Sequence, residues 1–124
     1  MKHIFSGTAL LFLVGCATPI PQNVAVLAID SVPPGATIAA DGKDLGVTPS
    51  KITYTLPQGK NFPQTTSPIT LTWVSGARLN TPLRVDGGGT TYHYRLQRPA
   101  DAPNLQADIQ YSSYLMQKQQ PQAS

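Results

Sequence analysis

Glutamate is absent from this 124-residue chain, cysteine occurs once, histidine occurs twice, and charged residues make up only 12% of it. A single cysteine cannot form an intrachain disulfide, which excludes the disulfide framework of many small secreted domains. Beyond the first three residues, His93 is the only histidine of the sequence, whereas a zinc site needs three or four nitrogen or sulfur ligands. Acid–base catalysis would depend on scattered aspartates. We therefore expect that the protein is not an enzyme and that it binds neither a metal nor a cofactor.

The charges also argue against nucleic acid as a partner. Nine lysines and arginines face six acidic residues, which gives a formal net charge of +3. The basic residues are scattered along the chain, without the run or stripe that nucleic-acid binding requires. His93, between two tyrosines, is better explained as an ordinary strand residue than as a catalytic base. We therefore expect no nucleic-acid partner.

An apolar run covers residues 4–14 and is interrupted only by Ser6, Gly7 and Thr8. As a helix this run would rise about 16 Å, roughly half of the hydrocarbon core, so it is too short to span a membrane. It has the length of a signal-peptide apolar region. The run ends in Leu13-Val14-Gly15-Cys16.

These four residues resemble the lipobox of bacterial lipoproteins. The resemblance implies cleavage before Cys16, a covalent diacylglycerol on its thiol and an N-acyl chain on its new amine. Two or more chains anchor a protein stably, whereas one chain binds a membrane only marginally. In this family an aspartate directly after the lipidated cysteine favours retention in the inner membrane. This chain has Ala17 there, which implies transport to the outer membrane, with the protein facing the periplasm. The alternative is a secreted protein with a stray cysteine.

Short apolar stretches separated by turn residues follow a tether that is rich in proline. They predict strands over 24–31, 36–40, 51–56, 69–74, 77–85 and 90–97. Pro33-Pro34-Gly35 predicts a type II turn and Asp41-Gly42 a type I′ hairpin turn. Pro82 predicts an edge strand or a bulge, because proline cannot donate to a ladder. The glycines at 87–89 predict a flexible turn.

The apolar spacing changes from period two to helical spacing over residues 104–117. Leu105, Ile109, Ser112 and Met116 fall on one side, which predicts an amphipathic helix that opens at Pro103 or Asn104. The fold class is therefore mostly β, a small antiparallel β-sandwich with one C-terminal α-helix. The predicted organisation is a signal peptide (1–15), a lipidated tether (16–23), a β domain (24–98), a linker and helix (99–117) and a disordered tail (118–124).

Residues 29–59 carry an ordered series of turn residues: Pro33-Pro34-Gly35-Ala36, Asp41-Gly42-Lys43, Gly46-Val47-Thr48-Pro49 and Leu56-Pro57-Gln58-Gly59. This series resembles the PEGA domain, a small β-sandwich-like module named after its Pro-Glu-Gly-Ala turn. The resemblance implies a binding or scaffolding module of the bacterial envelope. It brings no catalytic residues, because the matching positions are turn and core residues.

Aromatic residues provide the candidate binding surface. Trp73, Tyr92 and Tyr94 lie on predicted strands, where such rings are either core or a platform for glycans. Tyr111 and Tyr114 add rings from the predicted helix. A platform of this kind requires Trp73 to be exposed to solvent.

The sequence leads to one functional expectation and two alternatives. We expect an outer-membrane-anchored periplasmic lipoprotein that is a non-catalytic structural or accessory subunit of a cell-envelope assembly. Its partners would be the membrane, through the lipid anchor, and envelope proteins, through the Pro82 edge strand and the helix. The alternatives are a lipoprotein that binds peptidoglycan or another glycan, and a phage- or plasmid-encoded lipoprotein that blocks a receptor.

Overall fold

The computed structural model describes residues 18–119 of the chain. The signal peptide, the lipidation site Cys16 and residues 120–124 lie outside the described residues and stay predictions. Within residues 18–119, nine strands precede one helix. The elements are β1 (Val24–Val32), β2 (Thr37–Ala40), β3 (Lys43–Val47), β4 (Ser50–Thr55), β5 (Gln64–Thr65), β6 (Ile69–Thr72), β7 (Arg78–Thr81), β8 (Arg84–Val85), β9 (Thr90–Gln97) and α1 (Leu105–Gln119).

The strands form three sheets with the orders β4-β1-β9, β3-β2-β6-β7 and β5-β8. This arrangement confirms the predicted mostly β fold, a small β-sandwich with one C-terminal helix. The pair of β1 and β9 is parallel, with Leu27 opposite Tyr92, so the predicted antiparallel pairing is wrong for this pair, whereas the other pairs are antiparallel. A parallel pair needs a long crossover connection. Here the whole segment between β1 and β9 serves as that connection.

The turn chemistry explains where several strands begin and end. Asp41 and Gly42 have φ values of 52° and 76°, which a type I′ turn requires, and they join β2 to β3. The sequence did not predict β3, because Lys43–Val47 carries no clear apolar alternation. The predicted strand 77–85 is interrupted at Pro82 into β7 and β8, and β7 lies at a sheet edge. That interruption confirms the effect predicted for the proline.

The core lies between the sheets and is made of small and medium apolar side chains. Eight large apolar residues of the predicted strands are buried: Leu27, Ile29, Ile38, Ile69, Leu71, Trp73, Leu83 and Val85. Three alanines, Ala25, Ala36 and Ala77, are buried as well. Val26 is only half-buried, because β1 turns Ala25, Leu27 and Ile29 inward and the alternate residues toward the outer face.

The glycine-rich segment before β9 is packed closely rather than merely flexible. A Cβ atom on Gly88 would lie 1.8 Å from the backbone oxygen of Gln22, far inside van der Waals contact. The amide of Gly89 also donates to the carbonyl of Val24 at 2.7 Å. The prediction of a flexible turn is therefore wrong at Gly88 and Gly89. These glycines allow the chain to pass directly against the segment that leads into β1.

Candidate interaction site

One threonine holds the Pro33–Ala36 turn in place. The Thr48 hydroxyl accepts hydrogen bonds from the amides of Gly35 and Ala36, both at 3.0 Å, and lies 2.7 Å from the Ser31 hydroxyl. The Thr48 amide donates to the Ala36 carbonyl at 2.8 Å. Because Thr48 is buried, these bonds satisfy groups that water cannot reach. The Gly-x-Thr-Pro part of the turn series is thus a structural support for the Pro-Pro-Gly-Ala part.

Trp73 belongs to the same support. Its side chain is only 2% exposed, and its indole nitrogen donates to the Pro33 carbonyl at 2.8 Å. Of the two interpretations of Trp73, the core residue is therefore confirmed and the exposed aromatic platform is wrong. The physical reason is that the indole combines a large apolar ring with one donor, and the turn offers an acceptor beside the core.

The other candidate tyrosines lie in two separate places. Tyr92 and Tyr94 are half-buried on β9, and the Tyr94 hydroxyl donates to the Arg84 carbonyl at 2.6 Å. Burial and the nearby Tyr92 and Asp86 raise the pKa of Tyr94, so its hydroxyl stays protonated as a donor at neutral pH. Tyr111 and Tyr114 stack on α1 with ring centroids 6.2 Å apart. The structure thus distributes the predicted aromatic residues between the β9 edge, the core and the helix.

A buried guanidinium connects β9 to the helix. The Arg98 side chain is 3% exposed, and its Nε donates to Oδ2 of Asp108 at 2.5 Å. Its terminal nitrogens donate to the carbonyls of Ala102, at 2.9 Å, and of Pro103. We call Arg98, Asp108 and Ser75 the Arg98 cluster. It ties the end of β9, the linker and the first turns of α1 into one unit.

The Asp108 carboxylate is ionised within this cluster. Both of its oxygens accept hydrogen bonds from Ser75, one from the amide at 2.8 Å and one from the hydroxyl at 2.7 Å. Burial alone would raise the pKa of Asp108, but the hydrogen bonds from Ser75 and Arg98 outweigh it and hold the pKa below its ordinary value. No sequence pattern indicates this pair, because neither residue stands in a recognisable motif.

The helix packs over the Pro33–Ala36 turn. Gly35 has φ of 101°, and a Cβ atom there would lie 3.2 Å from the Tyr111 ring and 3.3 Å from Leu115. Asp108 and Ser112 are the buried residues of α1, and Tyr111 and Leu115 are half-buried beside them. The inward side of the helix is thus partly polar, and α1 covers the Pro33–Ala36 turn.

The three apolar residues of the side predicted for the helix face solvent, whereas Ser112 of that side is buried. Leu105, Ile109 and Met116 are 48%, 39% and 55% exposed. Of the two surfaces on which an amphipathic helix could pack these residues, the sheet and a partner, the sheet is wrong, because the Arg98 cluster turns Asp108 inward instead, and packing on a partner stays a prediction. We call these three residues the helix stripe. The helix also continues to Gln119, so Lys118 is helical rather than part of a disordered tail.

Residues 18–119 hold neither a cluster of metal-ligating side chains nor a helix that could span a membrane. No cluster of three or more His, Cys, Asp or Glu side chains in that range is placed to hold a metal ion. No helix in the described range is long and apolar enough to cross a bilayer. His93 is exposed on β9, on the outer side of its sheet.

Comparisons with known proteins agree with the turn series and with the strands that it joins. No curated protein and no solved structure gives a significant match to the chain. The segment that runs from the start of β1 to the start of β5 matches a family model, and it contains the turn and the threonine that supports it. Residues 24–64 of this chain thus match the family model of the PEGA domain.

Proposed function

We propose that this chain is an outer-membrane-anchored periplasmic lipoprotein that acts as a non-catalytic structural or accessory subunit of a cell-envelope assembly. The PEGA match over residues 24–64 supports an envelope-associated, protein-binding module. The Leu13–Cys16 pattern supports a lipid anchor made of a diacylglycerol and an N-acyl chain. Within this proposal the protein uses surfaces rather than chemistry.

The orientation of α1 is the observation that carries the proposal. An amphipathic helix of an isolated domain normally turns its apolar side to the core. In this chain the Arg98 cluster turns Asp108 and Ser112 inward and leaves the helix stripe outside. A protein partner that covers the stripe would remove apolar surface from water and stabilise the complex.

Crosslinking in living cells tests this role. We expect the native, lipidated chain to crosslink to a stoichiometric envelope protein. A variant with Leu105→Gln, Ile109→Gln and Met116→Gln should lose that partner and keep its fold, since the three side chains are exposed. The matched control changes three exposed polar residues of the same helix to serine: Gln106, Gln110 and Gln117.

The outcomes separate the parts of the proposal. If the triple glutamine variant keeps the partner, the helix stripe is not the contact surface. If the lipidated wild-type chain crosslinks to no protein at all, the role as an assembly subunit is wrong. Sedimentation of the wild-type chain with purified peptidoglycan would then favour the glycan-binding alternative, which has lost its central ring because Trp73 is buried.

The lipid anchor is tested at the cysteine. Cys16→Ala should abolish incorporation of a labelled fatty acid and release the protein from the membrane fraction. Ala17→Asp should keep the label and, by the sorting rule of the family, move the protein to the inner membrane. Unchanged labelling of the Cys16→Ala protein would contradict the lipoprotein assignment. The receptor-blocking alternative stays a prediction.

A further inference from the structure

Strand β9 presents the longest free edge among the described strands that lie at a sheet edge. It runs for eight residues, Thr90–Gln97, and pairs on one side only, with β1. The other outer strand of that sheet, β4, has six residues, and β7 at the edge of the second sheet has four. Long unprotected edges present backbone donors and acceptors to any chain that can add a strand.

The register shows which backbone groups of β9 are free. The amide of Arg98 donates to the carbonyl of Val32, so the even-numbered residues at this end of β9 bond to β1. In a ladder the backbone groups of successive residues point to opposite sides. The amides and carbonyls of Thr91, His93, Arg95 and Gln97 therefore point away from β1, the one strand that pairs with β9 within residues 18–119.

Two basic side chains, Lys51 of β4 and Arg95 of β9, lie on the outer face of the sheet. Lys51 and His93 flank the small Ala28 in the register, and Arg95 lies beside Asp30. Neither Lys51 nor Arg95 forms a salt bridge within the described chain, and one oxygen of Asp30 accepts from the Ser31 amide at 2.7 Å. An open groove of about 590 Å³ crosses this face. Two positive side chains, Lys51 and Arg95, thus line the groove together with one carboxylate, that of Asp30.

We propose that β9 binds an extended acidic segment of a protein partner by strand addition. The backbone groups of Thr91, His93, Arg95 and Gln97 would pair with the added strand, as in other strand-addition complexes. Alternate side chains of that strand would lie on the outer face, beside His93 and Arg95. A carboxylate beside Arg95 would pair with its guanidinium.

A second copy of this chain is a poorer occupant of the edge. An antiparallel pair of β9 strands that uses the free backbone groups, in the register centred on Arg95, would place the two Arg95 guanidiniums opposite each other. Like charges directly opposite each other destabilise a strand pair. The inference rests on the proposed role in a protein assembly and adds to it a second surface, distinct from the helix stripe.

A synthetic peptide tests the surface directly. The probe is a fluorescent, end-capped octapeptide of alternating valine and glutamate, and its comparison peptide has lysine in place of glutamate. With the lipidated full-length chain in neutral detergent, we expect fluorescence anisotropy to show saturable binding of the glutamate peptide only. Amide exchange measured by NMR should slow at Thr91, His93, Arg95 and Gln97.

Charge reversal identifies the residues involved. Arg95→Glu should weaken binding by about tenfold, because it removes one ion pair and adds a repulsion. The matched control is Arg78→Glu on β7, an exposed edge strand of the other sheet, which should bind as the wild type does. Equal binding of the lysine peptide, unchanged affinity of Arg95→Glu, or no binding would each overturn the inference.

A photocrosslinker in living cells separates this inference from the proposed function. Placed at Gln97, it should attach to a partner segment that carries Asp or Glu at alternate positions. A partner that attaches at Met116 but never at Gln97 would overturn the β9 surface and leave the proposed function standing. No protein attached at either position would overturn both.

Discussion

Removing the Asp108 carboxylate should detach α1 without unfolding the β domain. In Asp108→Ala the Arg98 guanidinium would stay buried with no counter-charge, and breaking a buried pair in this way typically costs about 3–5 kcal/mol. The apolar contacts that oppose detachment are few. Tyr111 and Leu115 are only half-buried, which contributes about 2 kcal/mol in total. The cost of the unpaired buried charge therefore exceeds the free energy of the contacts that hold α1. Detachment of α1 is favoured because it lets water reach the Arg98 guanidinium.

The expected signal is local loss of order. A detached 15-residue helix is marginal in water, so residues 105–119 should lose helical circular dichroism and exchange their amides rapidly. Amides of β1 and β9 should keep wild-type protection. The control is Asp101→Ala, an exposed aspartate in the preceding linker. Wild-type protection of α1 in Asp108→Ala, or unfolding of β1 together with α1, would refute the reasoning.

A double variant distinguishes loss of the charge pair from loss of packing. Replacing a buried ion pair by apolar residues of similar size is often neutral or stabilising. Arg98→Met combined with Asp108→Leu should therefore restore protection of α1 relative to Asp108→Ala. A double variant as disordered as the single one would mean that the three carbonyl contacts of Arg98, rather than its charge, hold the linker.

The same cluster predicts how stability depends on pH. The pKa of Asp108 is lower in the folded chain than in the unfolded chain. Its contribution is therefore fully present above the ordinary aspartate pKa of about 3.9 and is lost as pH falls through the lower folded value. Helix protection should decrease on acidification below about pH 4, before the β domain unfolds. Constant protection of α1 down to the acid unfolding of the sheets would contradict this.

Two further substitutions test the turn and the glycine contact. Thr48→Val should lower the free energy of unfolding by about 2 kcal/mol and the melting temperature by roughly 10 °C, because the buried Ala36 amide loses its side-chain acceptor. The control is Thr53→Val, at an exposed position, which should change the stability little. Gly88→Ala should destabilise by about 1–3 kcal/mol in urea unfolding, whereas a Cβ on Gly87 meets only an ordinary 3.5 Å contact and Gly87→Ala should be nearly neutral. Equal stabilities within either pair would show that the contact named does not limit the fold.

Local chemistry explains why much of the fold was predictable from the sequence. Period-two alternation and glycine or proline turns act over a few residues, so β9 and the Asp41-Gly42 hairpin were predicted where the structure has them. The strand β3 was missed because its side chains are mostly exposed and show no alternation. Its place is fixed by pairing with β2 rather than by its own pattern.

Long-range polar contacts explain what the sequence could not show. The spacing of Leu105 and Ile109 correctly predicts a helix, but it does not decide which side of that helix is buried. That choice depends on Asp108 meeting Arg98 and Ser75, which lie 10 and 33 residues away along the chain. In the same way, the side chain of Trp73 is oriented by an acceptor 40 residues away, the Pro33 carbonyl. No local pattern records such partners.

The PEGA match covers only part of the unit that folds. Residues 24–64 contain β1 and β2, which are inner strands of the two larger sheets. Each needs a partner from beyond the match, since β1 pairs with β9 and β2 with β6. Without that second half, β1 and β2 would each lose a neighbour, and the core would lose Ile69, Leu71 and Val85. The later strands therefore complete the sandwich. They also form the β9 edge and, through Arg98, set the orientation of the helix. Both surfaces proposed for binding therefore depend on residues outside the matched segment.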